Sequence, residues 1–206
     1  MRNIFVPLKN RLFALNGINR AMNEIGGAEA IFDIGAASGE YTELFLKRFP
    51  AARVYAFEPL PEHFKKLEGR VKKYGNRVCA FNFALYDKSG EKDLYIAPNK
   101  DASSFLIKEN LTKDHKTIVK MRTLDEFTPD IKKIDLIKID VEGVELEVLR
   151  GAEKTLPKTR SIFVEINPAF KGYNSRDHIE VFELMHENGF GFRGNYSGDY
   201  FFRKDK

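Results

Sequence analysis

Cysteine is almost absent. Of 206 residues, Cys79 is the only one. That excludes an intramolecular disulfide and a cysteine-rich zinc site, and it fits a reducing compartment. Long hydrophobic runs are lacking too. None approaches the roughly 20 residues that cross a bilayer. The opening stretch is broken by Pro7, Lys9, Asn10 and Arg11 and has no continuous apolar centre of the kind a secretion signal needs. A cytoplasmic location with no membrane partner is the expectation. Neither sign of charge dominates strongly: 34 Lys and Arg face 30 Asp and Glu, a net +4. The excess is terminal. Arg2, Lys9, Arg11 and Arg20 outweigh Glu24 in the first 28 residues, and Arg203, Lys204 and Lys206 outweigh Asp205 at the end. The body between them is close to neutral, so it lacks the basic face that nucleic-acid binding uses.

What is present is an ordinary globular balance, 43% hydrophobic and 31% charged. The length fits a single domain, with residues 1–28 as a helical lead-in and 29–206 as the domain proper. In the lead-in, Leu12, Leu15, Ile18 and Met22 recur near helical spacing before Gly26-Gly27. Strand-like and helix-like segments then alternate. Strands are expected over 30–34, 54–57, 78–83, 134–139 and 161–166. Helices are expected up to Pro50 and over 63–73, 144–156 and 175–188. Short strands are expected over 93–96 and 117–121, with a polar loop over 98–104 between them and a helical turn over 123–127. A hairpin over 190–203 closes the chain. This alternation predicts a mainly parallel sheet with helices on both faces and one antiparallel strand from the hairpin.

In such sheets a ligand lies beyond the carboxyl ends of the strands. The first of these ends is Asp33-Ile34-Gly35-Ala36-Ala37-Ser38-Gly39. Its small residues let a ligand approach the backbone, and the helix start that follows offers free N–H groups. That suits a nucleotide-like ligand carrying a carboxylate or phosphate. The dinucleotide fingerprint G-x-G-x-x-G is absent, which disfavours a nicotinamide enzyme. Asp33 has a second reading as a cap or turn residue. Glu58 closes the second strand, where a carboxylate can accept from both hydroxyls of a ribose. Lys138 is unusual in a central strand, because a buried ammonium needs a partner; Asp140, Glu142 or Glu165 could supply it. Asp140 and Glu142 also suit helix capping. Glu165 ends the next strand and could act as a base or hold a substrate.

Together these segments resemble a known family. The glycine loop, Val54-Tyr55-Ala56-Phe57-Glu58-Pro59, the block Lys138-Ile139-Asp140-Val141-Glu142-Gly143 and Leu149-Arg150-Gly151-Ala152 occur in order. They resemble the FkbM family of S-adenosylmethionine-dependent methyltransferases over roughly residues 29–167. Ser103-Ser104, Thr123-Leu124-Asp125 and Glu165 are smaller matches, and Ala37-Ser38 departs from the asparagine more common there. The resemblance implies a Rossmann-like class I methyltransferase fold, a mostly parallel seven-stranded sheet with an antiparallel C-terminal hairpin strand, with S-adenosylmethionine as cofactor. It assigns the methionine portion to Gly35 and Gly39, with Asp33, Ala36, Ser38 and Tyr41 around them. It assigns the ribose to Glu58 with Pro59 beside it, and the adenine side to Ala84 and Leu85. Asp140 and Glu142 fall near the methyl group or the substrate.

Family members of this kind usually methylate hydroxyls on small molecules or sugars. Such a hydroxyl needs a base, for which Asp140, Glu142 and Glu165 are unranked candidates. Their spacing does not require a divalent cation, and no metal is expected. The histidines are expected at the surface and Cys79 in the core. Phe201-Phe202 could cover a sheet edge. Asn167-Pro168-Ala169-Phe170 looks like an element of base-modifying amino methyltransferases but follows the wrong strand. The acceptor would meet the lead-in, 98–115 and 169–176. A nucleic-acid methyltransferase and a non-catalytic cofactor-binding or interaction protein are the alternatives.

Overall fold

Short runs of Ile, Val, Phe and Leu become strands, and segments with apolar residues three and four apart become the helices between them. The computed structural model describes residues 8–96, 103–105, 115–128, 130–166, 175–196 and 198–205. In order the elements are α1 (Leu8–Ile25), β1 (Ala30–Ile34), α2 (Glu40–Arg48), β2 (Arg53–Phe57), α3 (Pro61–Val71), β3 (Val78–Phe81), β4 (Ala84–Leu85), β5 (Gly90–Tyr95) and β6 (Lys116–Arg122). There follow α4 (Leu124–Phe127), β7 (Leu136–Ile139), α5 (Glu145–Arg150), β8 (Ser161–Glu165), α6 (Ser175–Glu187), β9 (Phe190–Tyr196) and β10 (Asp199–Lys204).

Seven strands form one sheet in the order β3-β2-β1-β7-β8-β10-β9. Strands β3, β2, β1, β7 and β8 are parallel, and β10 enters antiparallel between β8 and β9. This is the expected mostly parallel seven-stranded sheet with an antiparallel strand from the C-terminal hairpin. Both faces are covered. Leu146, Val148 and Leu149 of α5 pack on one face with Val181 and Met185 of α6. Ile18 and Met22 of α1 pack on the other with Phe45 and Leu46 of α2 and Leu67 of α3. Strands β4, β6 and β5 form a separate small sheet over a third cluster that includes Tyr86, Leu94, Phe105 and Val144.

The structure departs from the sequence reading in several places. The expected strand over 78–83 divides. Asn82 donates through Nδ2 to the carbonyls of Glu58 (2.9 Å) and Pro59 (3.0 Å), and the chain leaves the main sheet there to start β4 beside β6. The expected helix over 144–156 stops at Arg150, because Asp125 accepts from the N–H groups of Lys154 and Thr155, both at 2.9 Å, and holds them in a turn. His63 is buried with Leu67 and Val71, four and eight residues on along α3, not at the surface. Cys79 is half-buried rather than core, with Arg53 donating to its Sγ at 3.0 Å. Phe201 and Phe202 lie fully inside the sheet, since β9 and not β10 is the edge. The segment Asn167-Pro168-Ala169-Phe170 falls outside the described residues, as do most of the acceptor-side stretches 98–115 and 169–176, whereas the lead-in is described from Leu8 as α1.

The core centres on Phe32, which is fully buried and stacks on Tyr55 (4.7 Å between ring centroids) and Phe57 (6.0 Å). Phe32→Ala is expected to cost about 3–5 kcal/mol of stability, measurable by urea denaturation followed by circular dichroism.

Candidate active site

The strand order reverses between β1 and β7, so a crevice opens beyond their carboxyl ends. The glycine loop forms one wall. Gly35 has φ +75°, and a Cβ on it would lie 1.8 Å from the carbonyl oxygen of Asp140. Only glycine permits that approach of β1's end to β7's end. Gly39 has φ +82° and begins α2 with no side-chain cap. The helix N–H groups there remain open to an anionic ligand.

Glu58 at the end of β2 is buried and braces this loop. Its Oε2 accepts from the N–H of Ala37 at 2.9 Å, and its Oε1 from the N–H of Leu60 at 2.8 Å. Ala37 itself has a positive φ of 46°. Burial pushes Glu58 up to about 7, against the pull of its two N–H donors. Each oxygen keeps a lone pair for a further donor. Pro59 follows directly. Ala84 and Leu85 are buried just past the point where the chain leaves the main sheet.

The pleat arranges the charged groups in two rows. Cross-strand partners share a face, as do residues two apart on one strand. Asp33 pairs with Lys138, Lys138 with Phe163 and Phe163 with Phe201. One step toward the strand ends on that face stand Asp140, Glu165 and Asp199. Glu165 pairs with Asp199, and Asp140 and Glu165 follow the paired Ile139 and Val164. This is the face covered by α1 and α2.

Lys138 is buried in the lower row. Its Nζ lies 3.1 Å from Asp140 Oδ2, 3.7 Å from Asp33 Oδ1, 3.4 Å from the Gly35 carbonyl and 4.7 Å from the centre of the Tyr41 ring. Burial opposes its charge, but Asp140 and Asp33 outweigh burial and hold its pKa above the ordinary lysine value. Asp33 is fully buried and accepts from Thr42 Oγ1 at 2.5 Å. It lies inside β1, neither at a helix cap nor in a turn, and its side chain faces Thr42 and Lys138. Burial raises its pKa, opposed by Lys138 and Thr42, and burial also pushes Tyr41 up to about 12.

Of the expected base candidates, the structure brings Asp140, Glu142 and Glu165 together, with carboxylate oxygens within 4.8 Å of one another. Carboxylates this close do not all ionise at low cost. The Asp140 charge, then burial, then Glu142 and Asp199 push Glu165 far above the carboxylate range. Oxygens at that spacing can converge on a cation, but proton sharing accounts for the contact equally well, and no metal is assigned.

Three site-forming residues escaped the sequence reading. Asp199 starts β10, and burial followed by Asp140 pushes it up to about 7. Because β10 is antiparallel, its first residue sits at the same end of the sheet as the carboxyl ends of the others; the expected hairpin contained that signal. Thr42 was the second. Glu145 is the third: its Oε1 accepts from the N–H of Gly143 at 2.9 Å and of Val141 at 3.4 Å. It supports the loop in which Glu142 takes a φ of 61°. Its buried Oε2 has no hydrogen-bond partner among the described residues. Burial pushes Glu145 up to about 7.

The family comparison decides what this crevice belongs to. Residues 33–192 match the model of the methyltransferase FkbM domain. The chain belongs to the FkbM methyltransferase family. This FkbM chain is 30% identical over 151 residues to the 2-O-methyltransferase NoeI of Sinorhizobium fredii, covering 66% of this chain and 62% of that protein. It is 28% identical to the methyltransferase sdnD of Sordaria araneosa (78% and 73% covered). It is 27% identical to the hexuronic acid methyltransferase AglP of Haloferax volcanii (73% and 61%). The chain thus spans less than two thirds of NoeI and AglP. The fold is that of class I methyltransferases. The crystal structure of magnesium protoporphyrin IX methyltransferase from Synechocystis with bound S-adenosylmethionine superposes with a TM-score of 0.55 at 10% identity, covering 100% of this chain and 86% of that one. A putative rRNA methylase from Clostridium thermocellum gives 0.57 at 9% identity (92% and 96%). No helix among the described residues is long and apolar enough to cross a membrane.

Glu145 makes stability depend on pH. Between about 4.5 and about 7 the native state keeps a proton that the unfolded chain releases. Stability therefore falls as pH rises through that window. Glu58 and Asp199 contribute with the same sign. Glu145→Gln should flatten the fall by up to one proton without abolishing it, as read from urea midpoints across the window.

Proposed function

We propose that the chain transfers the methyl group of S-adenosylmethionine to a hydroxyl of a small molecule or sugar. The observation that carries this reading is the convergence of Asp140, Glu142 and Glu165 at one strand end, beside the glycine loop and Glu58. The residues fit the cofactor in kind. Gly39 leaves the start of α2 uncapped for a carboxylate, Glu58 presents a buried acceptor at the ribose position, and the acidic strand ends favour a cationic centre. The names of two relatives, a 2-O-methyltransferase and a hexuronic acid methyltransferase, point to the same acceptor class.

When bound, the cofactor supplies an electrophilic methyl group on a sulfonium. The chain's part is to orient and to move a proton. The loop and Glu58 fix one reactant, and the strand-end carboxylates fix the other, so that acceptor and methyl meet at about 3 Å. A sugar-type hydroxyl is a weak nucleophile, and a carboxylate within hydrogen-bond reach removes its proton as the new bond forms.

Calorimetric titration with S-adenosylmethionine tests this reading. The wild type is expected to bind, and Glu58→Ala to bind roughly 10- to 100-fold more weakly, the worth of hydrogen bonds to a charged group. Glu58→Gln checks that the loop still folds. Absence of binding to the wild type at millimolar cofactor would sink the proposal. Transfer of labelled methyl to a panel of neutral sugars, hexuronic acids and hydroxylated small molecules then identifies the acceptor.

A further inference from the structure

One ammonium stands behind a row of three carboxylates, and its position is not symmetric. Lys138 Nζ is 3.1 Å from Asp140 Oδ2, and Lys138 and Asp140 share one face of β7, two residues apart. Glu165 is the middle member of the row, with Asp140 on one side and Asp199 on the other. We propose that Lys138 is a positioning residue that fixes the negative charge on Asp140, making Asp140 the carboxylate that takes the acceptor's proton, while Glu165 keeps a proton and binds the acceptor as a hydrogen-bond donor. The assignment rests on the methyltransferase reading above.

Electrostatics requires such a division. Two carboxylates whose oxygens lie within 4.8 Å cannot both be ionised at low cost, and the one with a cation beside it ionises first. The charged and titratable groups around the pair among the described residues are Lys138 of β7, Asp33 of β1, Tyr41 of α2, Glu142 of the loop after β7 and Asp199 of β10. Lys138 is the only cation in that set. It contacts Asp140 and Asp33, whereas the groups acting most strongly on Glu165 are all carboxylates. Asp140 is also the more accessible partner of the ion pair, its side chain 31% exposed against 4% for Lys138. It therefore reaches the crevice while the ammonium stays dry. In the reaction the acceptor oxygen gains the methyl carbon, the carbon–sulfur bond breaks with its electron pair on sulfur, and the hydroxyl proton passes to Asp140. The same Nζ lies 3.4 Å from the carbonyl of Gly35, so one side chain registers the base against the glycine loop.

Carboxyl-¹³C NMR of protein labelled at Asp and Glu tests the assignment without cofactor or acceptor. Asp140→Asn and Glu165→Gln identify the two resonances by their loss. In the wild type at pH 7, Asp140 is expected at the ionised position and Glu165 at the protonated one. In Lys138→Met, Asp140 should move toward the protonated position; Lys138→Arg should return it. A purely structural lysine would leave both resonances where they are. An ionised Glu165 beside a protonated Asp140 in the wild type overturns the proposal. So does a Lys138→Met spectrum with both positions unchanged, or ionisation of Glu165 on adding millimolar magnesium, which would make the row a cation site. If Lys138→Met does not fold, the wild-type assignment alone decides. Cofactor calorimetry on the same samples separates failure of this proposal from failure of the methyltransferase reading.

Discussion

The site depends on one buried ammonium. Lys138 lies in the middle of a seven-stranded sheet, where an unpaired charge would cost several kcal/mol. The surroundings compensate in every direction that the pleat allows. Asp33 stands opposite on β1, Asp140 two residues ahead on the same strand, the Gly35 carbonyl above and the Tyr41 ring beside it. Remove the lysine and Asp33 becomes a buried carboxylate with Thr42 as its main support. The charges on β1 and β7 thus require each other, and the crevice between those strands inherits its electrostatics from the pair.

The two loops that line the crevice are strained and held by outside partners. Ala37 and Glu142 are the non-glycine residues with positive φ among the described residues. Each sits beside the strand end whose chemistry matters. Ala37 is held through its N–H by Glu58, and the Glu142 carbonyl accepts from Ser104 Oγ at 2.6 Å. Glu145 supports the second loop from below. Such strain persists only where neighbours fix it. Two of these neighbours, Glu58 and Glu145, are carboxyl groups whose pKa burial raises, so the same groups that shape the loops also tie them to pH.

Much of this was legible in the sequence because it rests on local chemistry. The limits of β1, the glycine loop, Glu58 and the Lys138–Gly143 block all follow from patterns within a few residues. What escaped depends on contacts distant in sequence. The expected strand over 78–83 divides because Asn82 finds carbonyls more than twenty residues away. The expected helix over 144–156 ends early because Asp125 takes its N–H groups. Lys138 was recognised as needing a partner, and Asp140 was among those named, but Asp33 comes from a strand over a hundred residues earlier. Asp199 escapes for a different reason: the expected hairpin carries the signal, but attention to carboxyl ends of strands overlooks an antiparallel strand, whose first residue occupies the same end.

The insertion of β10 between β8 and β9 has a consequence for the order of assembly. Residues of β10 leave the ribosome after every other element of the sheet, yet they fill a gap in its interior. Until they arrive, β8 has an unpaired edge, Phe163 lacks Phe201, and Glu165 faces water on the side where Asp199 will stand. Asp140 already presses on Glu165 from the other side, but the burial and the Asp199 charge that add to that pressure are missing. The charge pattern of the crevice is therefore completed only when the penultimate position of the sheet is filled.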